Sequence, residues 1–523
     1  MPSPAAIVCL LALISNGPAS GAEYGLAWAD HDRDGNPVFV AFRDGDGWSV
    51  EHFPPSAPFD DNYSPCLAYG PDGTPWVAWG ARKGTDAPRI RLSRWESGAW
   101  TVPEPIGGEG GAWESMPSLA FDRRGNGWIA FAREAGSSTE IFCAPLAGGK
   151  AGEAEMLSSP DASPDVHPAV AVAPDGSPVV AWEGWEEGRA QVFLSQRLSG
   201  SWTEEMAAAP AGEDDRIWPE VRAEGGGVEV SWREKDATVA WRRGGIVRAS
   251  SASALPVPIP AGLSSESWLS AREGGSRRCF PRSRPRPERT GGGSAQATNR
   301  YIGYGDSITY GHDSGSDSSR WYGSVLADIL AGRFPGDSFH IYNEGYPGAT
   351  TYNMLVGGGD WGCPGIYDVI DDHDDATLIL IMGGTNDLAH IGNPGLTKSY
   401  LGQIIDRARS RGVEPILGTI IPRLDKDSYL SASYTLSLSY ITPLASEKGC
   451  ELADPFNEFM NYYPTDYFYD NLYGSGTSHW DGIHPHWPDG DYHIALAFSA
   501  PFVTPTPSPT PTPSPAPTAT ATP

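Results

Sequence analysis

The 523-residue sequence predicts a multidomain protein: an all-β, propeller-like region followed by a three-layer α/β domain on a parallel sheet. Two observations carry that expectation. The first half repeats at a fixed interval, and the second half alternates strands with helices. Length agrees, since roughly 150 residues per domain allows two to four domains.

The repeat has three markers. Pro65-Cys66-Leu67-Ala68, Pro117-Ser118-Leu119-Ala120, Pro168-Ala169-Val170-Ala171 and Pro219-Glu220-Val221-Arg222 start 52, 51 and 51 residues apart. Each leads through a glycine turn into an apolar run ending on an aromatic: Gly73 to Trp79, Gly125 to Phe131, Gly176 to Trp182 and Gly226 to Trp232. An earlier copy runs from Gly35 to Phe42. A glycine-tryptophan turn recurs at Trp48, Trp100 and Trp202, and Gly148-Gly149 replaces it in the third copy. Period-2 alternation with several turns describes a four-stranded antiparallel unit. One such sheet cannot bury its faces alone, so units must pack side by side like propeller blades. Residues 23–260 have room for four to five blades, and five are expected. Asp30, Asp32, Asp34 and Gly35 imitate the start of a calcium loop. Ala41 stands where the closing glutamate belongs, and Asp72-Gly73 and Asp175-Gly176 fall at the same turn, so hairpin chemistry explains them better.

The ends and the joint differ in composition. Residues 1–22 contain an apolar run, Ala5 to Ile14, then Ala19-Ser20-Gly21-Ala22, the pattern of a secretory signal peptide. That run is too short to span a bilayer. Residues 261–298 are an Arg/Pro/Gly-rich linker, and residues 503–523 a Pro/Thr-rich low-complexity tail. A secreted or cell-surface protein without a transmembrane segment is expected. Acidic residues outnumber basic ones, 65 to 37, for a net charge of −28, which disfavours nucleic acid as a partner. The six cysteines form no CxxC pair, against a zinc ribbon.

Residues 299–502 read as the second domain. Strands are expected at Tyr301 to Tyr304, His340 to Asn343, Thr377 to Met382, Pro415 to Ile421 and Glu451 to Asp454. Helices are expected at Trp321 to Leu330, Thr397 to Arg411, Ser433 to Lys448 and Tyr492 to Phe498. That alternation gives a parallel sheet covered on both faces, with sites at the carboxyl ends of its strands.

Polar clusters stand at those ends. Ser307 follows a strand directly, on a Gly305-Asp306-Ser307 turn. A serine hydroxyl is inert near neutral pH unless a base takes its proton, and Asp481-Gly482-Ile483-His484 offers a base with a carboxylate three residues before it. The oxyanion formed on attack at an ester carbonyl needs donors, and Asn343 to Thr351 supplies glycine amides while Asn386 supplies a side-chain amide.

These blocks, in this order, resemble the SGNH (GDSL) hydrolase family over about residues 299–501. Gly305-Asp306-Ser307-Ile308 looks like its first block, Gly348 before Ala349-Thr350-Thr351 like its second, with Gly345 a close rival. Gly384-Thr385-Asn386-Asp387 resembles the third, and Asp481 to His484 the fifth. The resemblance implies a flavodoxin-like fold and a catalytic triad of Ser307, Asp481 and His484. It further implies an oxyanion hole made by the amides of Ser307 and Gly348 and the side chain of Asn386. No metal or organic cofactor is implied.

Blander readings stand beside it. Ser307 alone could cap a helix. His479, Asp481, His484, His486, Asp489, Asp491 and His493 could form a metal site, which would leave the Ser307 and Asn386 blocks unexplained. His373, among Asp371, Asp372, Asp374 and Asp375, reads as a solvated loop. The expected activity is hydrolysis of carboxylic esters, acetyl esters of a polysaccharide first. The alternatives are a lipase or lysophospholipase, or a surface protein whose propeller binds glycan or protein. The segment 299–501 is expected to act on small esters alone.

Overall fold

The structure is a computed structural model. It describes residues 10–13, 24–29, 36–44, 47–249, 298–311, 321–475 and 480–502, with short breaks at 85, 107–110, 137, 162, 211, 213, 225–226, 235–236, 243–244 and 360–361. The Asp30–Gly35 turn, the Arg-rich joint and the Pro/Thr tail lie outside the described residues.

Five antiparallel sheets follow one another along the first half. Their inner strands are β1 (Tyr24–Ala29), β2 (Asp61–Tyr69), β3 (Glu114–Phe121), β4 (Val166–Val172) and β5 (Arg216–Glu224), each beside the next. Leu10–Leu13, inside the segment that reads as a leader, is a strand paired antiparallel to β1. The repeat markers have a physical role. Trp79, Phe131, Trp182 and Trp232, which close the apolar runs, are all buried, and each apolar cluster draws on two neighbouring sheets. That sharing is how half-apolar sheets complete their cores. At the hairpins, Asp72 and Asp175 accept the amides of Thr74 and Ser177 at 3.0 and 2.9 Å, ordinary turn chemistry.

A second device repeats with the same interval. Just before each marker proline the inner strand slips register, and Ser64, Met116, His167 and Trp218 adopt φ of 44, 54, 49 and 51°. A bulge of this kind re-aims the side chains beside it.

The second half is a five-stranded parallel sheet covered by helices. Its strands are β6 (Thr298–Gly305), β7 (Ser338–Gly345), β8 (Leu378–Met382), β9 (Glu414–Gly418) and β10 (Glu451–Ala453), in the spatial order β7-β6-β8-β9-β10. After the strands come helices α1 (Ser307–Tyr310), α2 (Tyr322–Arg333), α3 (Thr351–Val356), α4 (Ile366–Asp372), α5 (Asp387–His390), α6 (Pro394–Ser410) and α7 (Asp427–Thr435). The long helix expected over Ser433 to Lys448 is instead α7, a π-helical turn over Leu436–Ile441 and a further helix over Thr442–Lys448. Pro443 lies at the start of that last piece and lacks the amide a continuous helix would use. Asp489–Ser499 is the closing helix. No helix among the described residues is long and apolar enough to cross a membrane.

The two halves share a core. Val166, Trp185 and Ala190 of the repeats pack in one cluster with Tyr352, Tyr400, Ile404 and Ala408 of the α/β half. Arg407, almost fully buried on α6, grips both carboxylate oxygens of Asp215 at 2.8 and 3.0 Å and the carbonyl of Gly188 at 3.0 Å.

Candidate active site

Strand β6 ends at Gly305, where a Cβ would lie 2.3 Å from the carbonyl oxygen of Met382 on β8. The chain then turns into α1, and the Asp306 side chain caps it by accepting the amide of Ile308 at 2.9 Å. This sets Ser307 at the first position of α1 with 8% of its surface exposed. Gly345, at the end of β7, backs onto the same turn, since a Cβ there would meet the amide of Tyr310 at 2.1 Å. The turn that carries Ser307 can therefore press against β7 and β8 only because these two glycines lack side chains.

His484 arrives from a distant loop. Its Nε2 lies 2.7 Å from Ser307 Oγ, and its Nδ1 lies 2.6 Å from Asp481 Oδ2. The other Asp481 oxygen accepts the amides of Ile483 and His484 at 2.8 and 2.9 Å. Hydrogen bonds from the His484 side chain, its positive charge and these amides outweigh burial and hold the Asp481 carboxyl down at about 2. It stays ionised wherever the imidazole can act. The loop is anchored beneath by the amide of Leu424, which donates to the Gly482 carbonyl at 2.7 Å. Gly482 has φ 72° and backs onto Asp425, so no side chain fits there.

On the other side of Ser307, Asn386 Nδ2 donates to the carbonyl of Ala349 at 3.0 Å, joining the second and third blocks. Asp387, buried at the start of α5, fastens them further. It accepts the amide of Thr351 at 2.9 Å, the Thr351 hydroxyl, and the hydroxyl of Thr397 at 3.1 Å. Burial nonetheless pushes its carboxyl up to about 6. Arg423 donates to the carbonyl of Thr385 at 2.9 Å and to Asp425 at 2.7 and 2.9 Å, so it links the Asn386 loop to the support of the Asp481 loop.

The structure thus gathers Ser307, Asp481 and His484 into one relay. It places Asn386 against the loop that carries Gly348, whose φ is 76°. The residues grouped as a metal alternative separate: Asp481 and His484 bind each other, whereas His493 faces Glu458 and Tyr467 at 2.8 and 3.2 Å. His479 lies outside the described residues. His373 is no solvated loop residue. Its ring stacks on Tyr342 with centroids 4.0 Å apart, and Nε2 lies 2.6 Å from Glu344. The bracing roles of Asp387 and Arg423 were not legible in the sequence, although Asp387 sits inside the third block. An imidazole held between a carboxylate and a hydroxyl can take the hydroxyl proton and return it to a leaving group.

A parallel sheet presenting these groups at its strand ends defines the class: a hydrolase domain of three-layer α/β fold. Residues 304–487 match the model of the GDSL-like Lipase/Acylhydrolase family, and this part of the chain is an ester-hydrolysing domain of that kind. No curated protein matches the sequence. Similar solved structures include LAE5, an alpha/beta hydrolase enzyme from the metagenome of Lake Arreo, Spain, at 22% identity. The match covers 39% of this chain and 94% of that one with a TM-score of 0.31. An acetyl xylan esterase, AlAXEase, matches at 18% identity over 39% of this chain and all of that one, with a TM-score of 0.30. The Hadza microbial sialidase Hz136 matches at 13% identity over 43% of this chain and 57% of that one, with a TM-score of 0.33.

Proposed function

We propose that the protein is an exported serine esterase that removes acetyl groups from a polysaccharide. The observation that carries the chemistry is the unbroken relay from Asp481 through His484 to Ser307, at 2.6 and 2.7 Å. Ser307 Oγ attacks the ester carbonyl while His484 Nε2 takes its proton, and Asp481 stabilises the imidazolium. The negative charge that develops on the carbonyl oxygen is received by the amides of Ser307 and Gly348 and by Asn386 Nδ2. That nitrogen carries two hydrogens, of which Ala349 engages one. His484 then protonates the departing sugar hydroxyl and leaves an acetyl group on Ser307. A water molecule gives its proton to His484 and attacks the acyl carbonyl, releasing acetate and restoring the serine.

The polysaccharide assignment rests on what flanks the relay. Tyr310, three residues after Ser307, is 53% exposed, and Trp480, next to Asp481, is 38% exposed. Exposed aromatic rings this near in sequence to the reacting groups suit the apolar faces of sugar rings. Export is proposed from the pattern of residues 1–22. The test compares acetate release from acetylated xylan, pectin and peptidoglycan with hydrolysis of p-nitrophenyl esters of two to twelve carbons. Acetate released from a polymer, and lost in Ser307→Ala, supports the reading. Hydrolysis confined to long acyl chains would replace it with a lipase.

A further inference from the structure

We infer that the repeats are a working part of the esterase: Glu183 and Tyr63, both outside the α/β half, position the two loops that carry the oxyanion donors. The inference rests on the proposed roles of Gly348 and Asn386.

Gly348 stands three residues before a very short helix, and Asn386 stands immediately before another. Gly348 and Ala349 lead into α3, six residues long, and Asn386 leads into α5, four residues long. Helices of that length do not hold themselves in water, so their placement must come from tertiary contacts. An oxyanion hole tolerates only about 0.5 Å of misplacement before its donors stop tracking the developing charge. What holds these helices therefore bears on the rate.

From within, they brace each other through Asn386 to Ala349 and Asp387 to Thr351. From without, both rest on the repeats. Tyr352, the second residue of α3, donates its hydroxyl to Glu183 Oε2 at 2.8 Å, and the ring of His167 stands edge-on to it at 4.8 Å. Glu183 is fully buried; its other oxygen accepts the amide of Trp218 and lies 3.1 Å from His167 Nδ1. Just after α5, the ring of Tyr63 is pressed against the backbone of Gly392, so closely that a Cβ would fall 2.5 Å from it. Asn36, also buried, reaches the Ala389 carbonyl of α5 and accepts a hydrogen bond from Lys426 at 3.0 Å.

These contacts share an origin in the repeat. Tyr63 stands beside the bulge at Ser64, and His167 and Trp218 are themselves bulge residues; Met116, the fourth, also packs against the shared core. A backbone irregularity recurring at 52, 51 and 51 residues thus turns one face of the sheets toward the hydrolase. Glu183 breaks the repeat in the opposite sense. Gly80 and Ala132 occupy its place in the second and third sheets, and a buried carboxylate appears where α3 lies above it.

The test is made on the full-length chain with p-nitrophenyl acetate, measuring kcat and KM for Glu183→Ala, Glu183→Gln and Tyr352→Phe. Tyr352→Phe keeps the ring and removes only the hydroxyl. Glu183→Gln keeps an acceptor for Trp218 and a polar group for Tyr352. The expected result is a 10- to 100-fold fall in kcat for Glu183→Ala, a smaller fall for Tyr352→Phe, KM within twofold, and recovery in Glu183→Gln. In a Tyr352→Phe background the Glu183→Ala effect should shrink, because the hydroxyl through which Glu183 holds α3 is already gone. Folded Glu183→Ala protein with kcat within twofold of wild type overturns the proposal, and so does a fall that is undiminished in Tyr352→Phe. A separate arm guards the underlying reading. If Ser307→Ala keeps its activity, the serine mechanism itself is wrong, whatever Glu183 does.

Discussion

Strand ends do different work in the two halves. In the parallel sheet, the ends of β6, β7 and β8 carry three different turns, and each supplies something no other residue duplicates: the Ser307 hydroxyl, the Gly348 loop and Asn386. In the repeats, the entry to each inner strand does one job several times. Three residues before the marker prolines stand Asn62, Glu114, Asp165 and Arg216, and the last three reach across to the preceding sheet. Glu114 meets Arg89 at 3.0 Å, Arg216 meets Gln191 at 2.8 Å, and Asp165 faces Glu140. The lesson is one of redundancy. A substitution at the edge that carries Ser307 and Asn386 should remove function while leaving the fold, whereas one at these strand-entry positions of the repeats should change stability by an amount set by its local partner.

The largest expected effect is at Ser307. Ser307→Ala should lower turnover on small esters by roughly 10⁴-fold or more while the protein melts as before. A variant with wild-type turnover would end the contrast at once. Asn386→Ala follows. It removes the proposed oxyanion donor and the brace to Ala349, and a loss of about 10²–10³ in kcat is expected. If KM rose instead with kcat unchanged, Asn386 would belong to substrate binding.

Both of those residues were legible in the sequence, and the reason is local. A glycine-serine turn after an apolar strand, or Asp481 three residues before His484, needs only nearby chain to make sense. The 51-residue period was legible for a similar reason, because each sheet repeats its own turns and closing aromatic. What stayed hidden is what acts at long range. Asn36, Glu183 and Asp215 meet partners in the α/β half between 169 and 390 residues away. One signal was open to reading: Glu183 is a charge inside the apolar run Pro178–Glu186, where the two copies before it carry Gly80 and Ala132. The short helices α3 and α4 were missed because six or seven residues give too little periodicity to separate a helix from a loop.

Among the repeats, Glu114 should matter most to stability. It is buried, accepts Arg89 and Arg133 at 3.0 Å each, and also takes the amide of Ile90 at 3.1 Å. Glu114→Ala strands two guanidinium groups and one amide, and a loss of about 2–4 kcal/mol in denaturant unfolding is expected. Loss of esterase activity without loss of stability would contradict this division of labour.

Asp165 should behave in the opposite way, with the smallest effect. At the place where Glu114 meets an arginine, Asp165 meets a second acid, Glu140, with Glu205 and Asp161 contributing further negative charge to the pair. Burial, then the Glu140 charge, pushes the Asp165 carboxyl up to about 9, and burial also raises Glu140. An acid raised in the folded state holds its proton where the unfolded chain has already given it up. The folded state therefore loses stability as pH climbs from the ordinary carboxyl range, about 4, toward 9. The Asp165→Asn substitution keeps the shape and a hydrogen bond to the neighbouring acid without that ionisation. This variant should accordingly melt close to the wild type at pH 5 and above it at pH 8, while Glu114→Ala stays below the wild type at both. Parallel melting curves for Asp165→Asn and the wild type across that range would mean that Glu140 and Asp165 do not share a proton. The repeated position would then be as indifferent to charge in the fourth sheet as its regular spacing suggests.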